Sequence, residues 1–128
     1  MTSVPPPTFA ILRDHRYIAL TTYRRGRQPI ITPMWFLLLD DRVYLWTTAD
    51  SGPAERLRAS TRVQFAPSDA RGGLLGPTLD GVARFLPEPE WPHLADQIQA
   101  KYGWAARLRR WLWRLQRRLN VYVEITAA

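Results

Sequence analysis

YIALTTYRRGRQPIITPMWFLLLDDRVYLWTT, residues 17–48, is the stretch that decides the fold. Residues 17–23 are β-branched and aromatic, residues 24–28 hold a glycine turn, and residues 29–39 resume as a long apolar run. Two such strands joined by a tight turn make an antiparallel hairpin. Asp40 and Asp41 turn the chain again, because short acidic side chains bond their own backbone in turns. From there Val43, Leu45 and Thr47 alternate with Tyr44, Trp46 and Thr48. That period of two marks residues 42–48 as a third strand and completes a meander.

Outward from this stretch the elements are sparser. Residues 1–8 carry three consecutive prolines and read as a flexible, extended tail, since proline lacks an amide donor and disfavours helix before it. Residues 9–16 form a short amphipathic piece. After the third strand, Asp50 or Ser51 is placed to cap a short helix running through Ala59. Pro53 is tolerated in its first turn, and Glu55 is favourable against the helix dipole. Residues 62–66 read as a fourth strand, residues 67–78 as a loop with three glycines, and residues 79–86 as a fifth strand. One long helix is predicted over residues 89–119, with Leu94, Ile98, Leu108, Leu112, Leu115 and Leu119 recurring at helical spacing. Asn120 hands over to a last strand at residues 121–126. The sum is a mainly β fold of six antiparallel strands with one short and one long helix. A small closed or nearly closed β-barrel is expected, because closure removes exposed strand edges, with residues 9–128 as its single domain.

Composition bounds the function. At 128 residues, 46% hydrophobic and 12% aromatic, the chain has enough apolar surface to offset its conformational entropy, which excludes intrinsic disorder. It has no cysteine, so disulfides, thiolate metal sites and cysteine nucleophiles are excluded. His15 and His93 stand in no metal-ligand spacing, and no metal is expected. Serine-elbow, Walker and dinucleotide glycine patterns are missing. The apolar stretches fall short of the roughly 20 residues of a membrane span, and the first residues lack signal-peptide character, so a cytoplasmic location without a membrane span is expected. The net charge of +7 rests on arginine, Lys101 being the lone lysine. Such a charge permits nucleic acid, an anionic lipid surface or a phosphorylated cofactor as partner.

Three segments carry candidate chemistry: residues 31–36, residues 45–48 and residues 50–58. A strand ending in the hydroxyls of Thr47 and Thr48 feeds a helix start with Ser51, and Arg56 follows one turn later. Together they offer hydroxyls, backbone amides and a guanidinium to a phosphate. An ordinary capped helix with solvated arginines has the same sequence, and both readings stand at this point. Farther on, Trp104, Leu108, Trp111, Leu112, Leu115 and Leu119 share one helix face, with Arg107, Arg110, Arg114, Arg117 and Arg118 largely elsewhere. This basic amphipathic helix reads as a cap on the barrel, tied down by the strand that follows, in preference to a membrane or nucleic-acid surface. A nucleic-acid partner is not expected, because the strands lack the paired exposed aromatics that stack bases.

The ordered set TPMWF (32–36), TTADSGPAERLR (47–58), RVQFAPSDARG (62–72), DGVARFL (80–86) and KYG (101–103) resembles the flavin- and deazaflavin-binding split β-barrel proteins related to pyridoxamine phosphate oxidase, in particular the coenzyme F420-dependent branch. The likeness spans residues 17–126. It implies a homodimer with its cofactor in interface grooves, the cofactor being F420 or, alternatively, FMN. It also implies Thr32, Pro33, Met34 and Trp35 against the ring, hydroxyls from Thr47, Thr48 and Ser51, and Arg56 on the phosphate. The implied activity is an oxidoreductase moving a hydride between cofactor and a small organic substrate; it names no catalytic side chain. The alternative is a non-catalytic module binding a flavin, deazaflavin, haem-like or lipid ligand. One departure stands out. Where similar sequences read serine, glycine, lysine and a second lysine two positions on, this chain has Ser51, Gly52, Pro53, Ala54 and Glu55, which places a carboxylate beside the expected phosphate.

Overall fold

A computed structural model describes residues 9–115 and 119–128; the predicted tail at residues 1–8, and Arg117 and Arg118, lie outside the described residues. After a 3-10 turn at Ala10–Leu12 come β1 (Tyr17–Tyr23), β2 (Pro29–Met34), β3 (Leu37–Leu39), β4 (Arg42–Thr48) and α1 (Gly52–Ala59). Then follow β5 (Arg62–Ser68), β6 (Leu79–Phe85), a 3-10 turn at Glu88–Glu90, α2 (Trp91–Tyr102), α3 (Trp104–Leu115) and β7 (Asn120–Ala127). The strands form one antiparallel sheet in the order β2-β1-β5-β6-β7-β4-β3.

There are seven strands rather than six, because the apolar run 29–39 breaks at Trp35 and Phe36. β2 pairs with β1 at one edge of the sheet and β3 with β4 at the other. Met34 and Leu37 are three Cα steps apart, at most about 11 Å. In a flat seven-stranded sheet the two edges would lie about 29 Å apart. The sheet must therefore curl until its edges nearly meet, which is the expected barrel. Both hairpins are as read, but the meander order ends there: β5 returns beside β1, and β7 inserts between β6 and β4.

Local chemistry explains the turns. Asp40 and Asp41 both have positive φ (50° and 57°), the two-residue hairpin that matches strand twist. Asp41 also accepts the Phe9 amide at 2.7 Å, pinning the chain's approach to the barrel. In the first turn the left-handed residue is Arg27 (φ 65°), although Gly26 stands beside it. The single long helix is also corrected. It is two helices, broken at Gly103 (φ 63°, ψ −137°), a backbone conformation open to glycine and strained for other residues.

The barrel interior is filled by Ile18, Leu20, Phe36, Val43, Leu45, Phe65, Val123 and Ile125, with Leu57 of α1 packed in. A second cluster, Trp35, Leu37, Leu86, Leu94, Ile98, Tyr102 and Tyr122, packs α2 onto the sheet. Between them lies the break in the apolar run. There the Tyr102 hydroxyl accepts the Phe36 amide at 3.0 Å and is within donating distance, 2.8 Å, of both the Phe36 and Arg16 carbonyls. Lys101 donates to the Phe36 carbonyl at 2.9 Å. The backbone groups that the kink removes from the ladder are thus bonded by two side chains from the end of α2.

Candidate functional site

α1 begins where β4 ends, and Ser51 makes the junction. Its backbone is extended and its Oγ accepts the Ala54 amide at 3.2 Å, so of the two candidate caps Ser51 is the one used. Thr47 donates to the same oxygen at 3.0 Å. Pro53 has no amide proton, and the Glu55 amide bonds the Ser51 carbonyl at 3.1 Å. Few amides are therefore left at this helix start for an anion, and the charge that an anion meets must come from side chains.

Arg56 supplies it. The guanidinium folds back over Gly52, where a Cβ would lie 2.7 Å from Nη1. Its Nε donates to Thr22 Oγ1 at 2.6 Å and its Nη2 to Thr32 Oγ1 at 3.4 Å. One side chain thereby ties α1 to both β1 and β2. Burial lowers its pKa from the ordinary arginine value, Arg24 adds to that, and Glu55 opposes it. Around it a cleft is walled by Arg24 and Arg25 of the first hairpin turn and by Gly52, Glu55, Arg56, Arg58 and Ala59 of α1. Four guanidiniums against one carboxylate make an anion-attracting surface. A neighbouring cleft carries the charge on past Arg27 and Arg62.

The predicted residues divide between this place and two others. Thr32 joins Arg56, and Thr47 joins Ser51, at the start of α1. Thr48 is buried at the end of β4. Met34 packs against the barrel core. Pro33 pairs with Ala19 and lies near the loop after β5, where a Cβ at Gly72 would be 3.8 Å from its Cδ. Trp35 sits in the second cluster, 8% exposed, stacked on Tyr102 with centroids 4.4 Å apart, and Arg109 lies 4.0 Å over its ring. Its indole nitrogen is buried without a partner among the described residues.

Sequence reasoning missed Thr22, Arg24 and Arg25. The signal for Thr22 was a lone hydroxyl on the inward row Ile18, Leu20, Thr22, which points to a buried partner; nothing local marks a turn arginine as facing a helix start across the sheet. Among the described residues no cluster of acidic or histidine side chains is arranged to hold a metal, and no helix is long and apolar enough to cross a membrane.

The family model of pyridoxamine 5'-phosphate oxidase matches residues 6–121. The conserved hypothetical protein Rv2991 from Mycobacterium tuberculosis is similar in structure, with 27% identity, TM-score 0.68, and 91% of this chain and 76% of that one covered. HutZ, the heme storage protein from Vibrio cholerae, superposes at TM-score 0.72 with 13% identity, covering 92% and 85%. An F420 reductase superposes at TM-score 0.65 with 16% identity, covering 98% and 96%. At these last two identities the likeness is one of fold alone. No curated protein matches the chain.

Proposed function

Since the chain belongs to the pyridoxamine 5'-phosphate oxidase family, we propose that it is a cytoplasmic, homodimeric oxidoreductase using a deazaflavin, with FMN as the alternative cofactor. When bound, that group supplies the hydride exchange with a small organic substrate. The observation that carries the reading is the Arg56 guanidinium, bonded to Thr22 and Thr32 in a cleft shared with Arg24, Arg25 and Arg58. This donor set fits a phosphate. Arg56 binds it, preorganised by the two threonines, while Arg24 and Arg58 add charge. The ring then lies along Thr32 and Pro33, with the second subunit excluding water from its other face; Met34, packed on the barrel core, and Trp35, covered by Tyr102 and Arg109, do not reach it. Thr47 and Ser51 hold the helix start in register. Deazaflavin is favoured over FMN because the basic surface continues to Arg27 and Arg62, beyond what one phosphate needs and suited to a longer polyanionic tail.

Titrating the purified protein with F420 and with FMN, followed by tryptophan quenching and cofactor absorbance, tests this. F420 is expected to bind at least about tenfold more tightly, the equivalent of about 1.4 kcal/mol. Equal or reversed affinities remove the deazaflavin assignment. Binding by neither favours the second reading, a non-catalytic ligand module, for which the specific observation is Glu55 in the cleft and proline at 53 where lysines are expected.

A further inference from the structure

More than half of the large exposed apolar side chains among the described residues fall on one segment, α3 and Leu119. Helices of globular proteins turn their apolar stripe inward; α3 does the reverse. At about 100° per residue, Trp104, Leu108, Trp111, Leu112 and Leu115 lie within one stripe about 100° wide, centred opposite Ala106 and Trp113. The inward side is Ala105 and Ala106, packed on the second cluster, with Arg109 over Trp35. The outward side is the apolar stripe: Trp104 is 76% exposed, Trp111 56% and Leu115 62%, and no residue of α3 is buried.

The helix also has no acidic residue, while Arg107 and Arg114 border the stripe along one edge. A nucleic acid would satisfy the arginines and leave two tryptophans and three leucines without an apolar partner. A second copy docked on this face would bury the leucines but bring the arginines of one α3 against those of the other, with no acidic residue on the helix to answer them. An anionic bilayer satisfies both, taking leucine and tryptophan at the acyl boundary and arginine at the headgroups. We propose that α3 is a peripheral anchor that lays this outward face into an anionic lipid surface, a role that does not depend on the cofactor assignment.

The test is co-sedimentation of the full chain with vesicles of neutral phosphatidylcholine and with vesicles containing anionic phosphatidylglycerol. Binding to the anionic vesicles alone, weakened by added salt, is expected. Leu108→Ser with Trp111→Ser, and separately Arg107→Gln with Arg114→Gln, should each weaken it by about tenfold or more. The serine pair, at exposed positions, should leave thermal unfolding unchanged, and the glutamine pair should stay folded by circular dichroism although Arg107 also reaches the Gln99 side-chain oxygen of α2. The proposal is overturned by absence of vesicle binding, or by binding that survives both double variants. It is equally overturned if the serine pair turns a lipid-free oligomer into a smaller species while the native chain ignores vesicles, which would assign the face to a second copy, or if duplex nucleic acid is retained where vesicles are not.

Discussion

In the proposed function, Arg56 couples binding to folding at a single side chain. Its bonds to Thr22 and Thr32 mean that Arg56→Ala removes both the proposed phosphate partner and the partner of a fully buried hydroxyl. The truncation should cost about 1–3 kcal/mol of stability, read by denaturant unfolding, besides weakening cofactor binding by about one to two decades. Adding Thr22→Val to Arg56→Ala removes the orphaned hydroxyl, so it should restore part of the stability and none of the affinity. Glu55→Lys, which reverses the one opposing charge in the cleft, should strengthen binding while costing about 0.3–1 kcal/mol of stability, because it puts a cation in the first turn of α1. Tyr102 makes a second residue-scale prediction. Burial pushes its pKa up to about 12 from 10.0, with the Phe36 backbone opposing, so the folded state favours the neutral phenol. Its stabilisation is complete below pH 10 and is lost as pH rises from about 10 to about 12. Tyr102→Phe should remove that alkaline loss and, by orphaning the Phe36 amide, lower stability by about 1–3 kcal/mol at neutral pH. Lys101 runs oppositely. Burial, then Arg16, lowers its pKa from 10.5 to about 8, so its contribution is present above pH 10.5 and falls away as pH drops through about 8. Comparing Lys101→Met with the native chain across that window should show the native protein gaining stability as pH rises.

At the scale of elements, what the sequence made legible and what it hid follow from the range of the forces involved. The hairpins were readable because Asp40 and Asp41, and the period of two in β4, are local signals. The break at Trp35 and Phe36 was not, since residues 29–39 are apolar throughout and a strand that stops looks like one that continues. What stops it is Tyr102, 66 residues away, which accepts the Phe36 amide. The split between α2 and α3 was hidden for the opposite reason: apolar residues keep helical spacing on both sides of Gly103, so periodicity masked a glycine whose φ of 63° ends the helix. A Cβ at Gly103 would meet nothing within 4 Å, so the cost of a side chain there is purely conformational. Gly103→Ala should therefore lower stability by about 1–3 kcal/mol in thermal unfolding. If helix content by circular dichroism rises and stability holds, α2 and α3 have fused into the continuous helix that periodicity suggests.

For the whole molecule, the same division holds in the candidate site: Thr47, Ser51 and Arg56 were legible because a capped helix start after a hydroxyl-rich strand end is a local pattern, whereas Thr32, on β2, was named only through the family resemblance. Thr22, Arg24 and Arg25 reach the cleft only once the first hairpin folds against α1. The proposed dimer would cover the apolar surface that this barrel leaves exposed. β2 is an edge strand paired on one side only, and Ile31 on it is 61% exposed. Leu74 and Leu75, in the loop that approaches Pro33 at Gly72, are 59% exposed each. An apolar edge of this kind is an aggregation hazard unless a partner covers it. A symmetric partner would also bring a second subunit next to Thr32 and Pro33, where the proposed ring lies. Light scattering at micromolar concentration should accordingly give a mass near twice 14.8 kDa. Ile31→Arg, on the edge strand and away from the barrel interior, should reduce that mass to a monomer and weaken cofactor binding with it, whereas Leu108→Ser with Trp111→Ser on α3 should leave both untouched. If Ile31→Arg yields a monomer that binds cofactor as the native chain does, the ring is held within one subunit; if the native chain is itself a monomer, neither the dimer nor the shared groove stands.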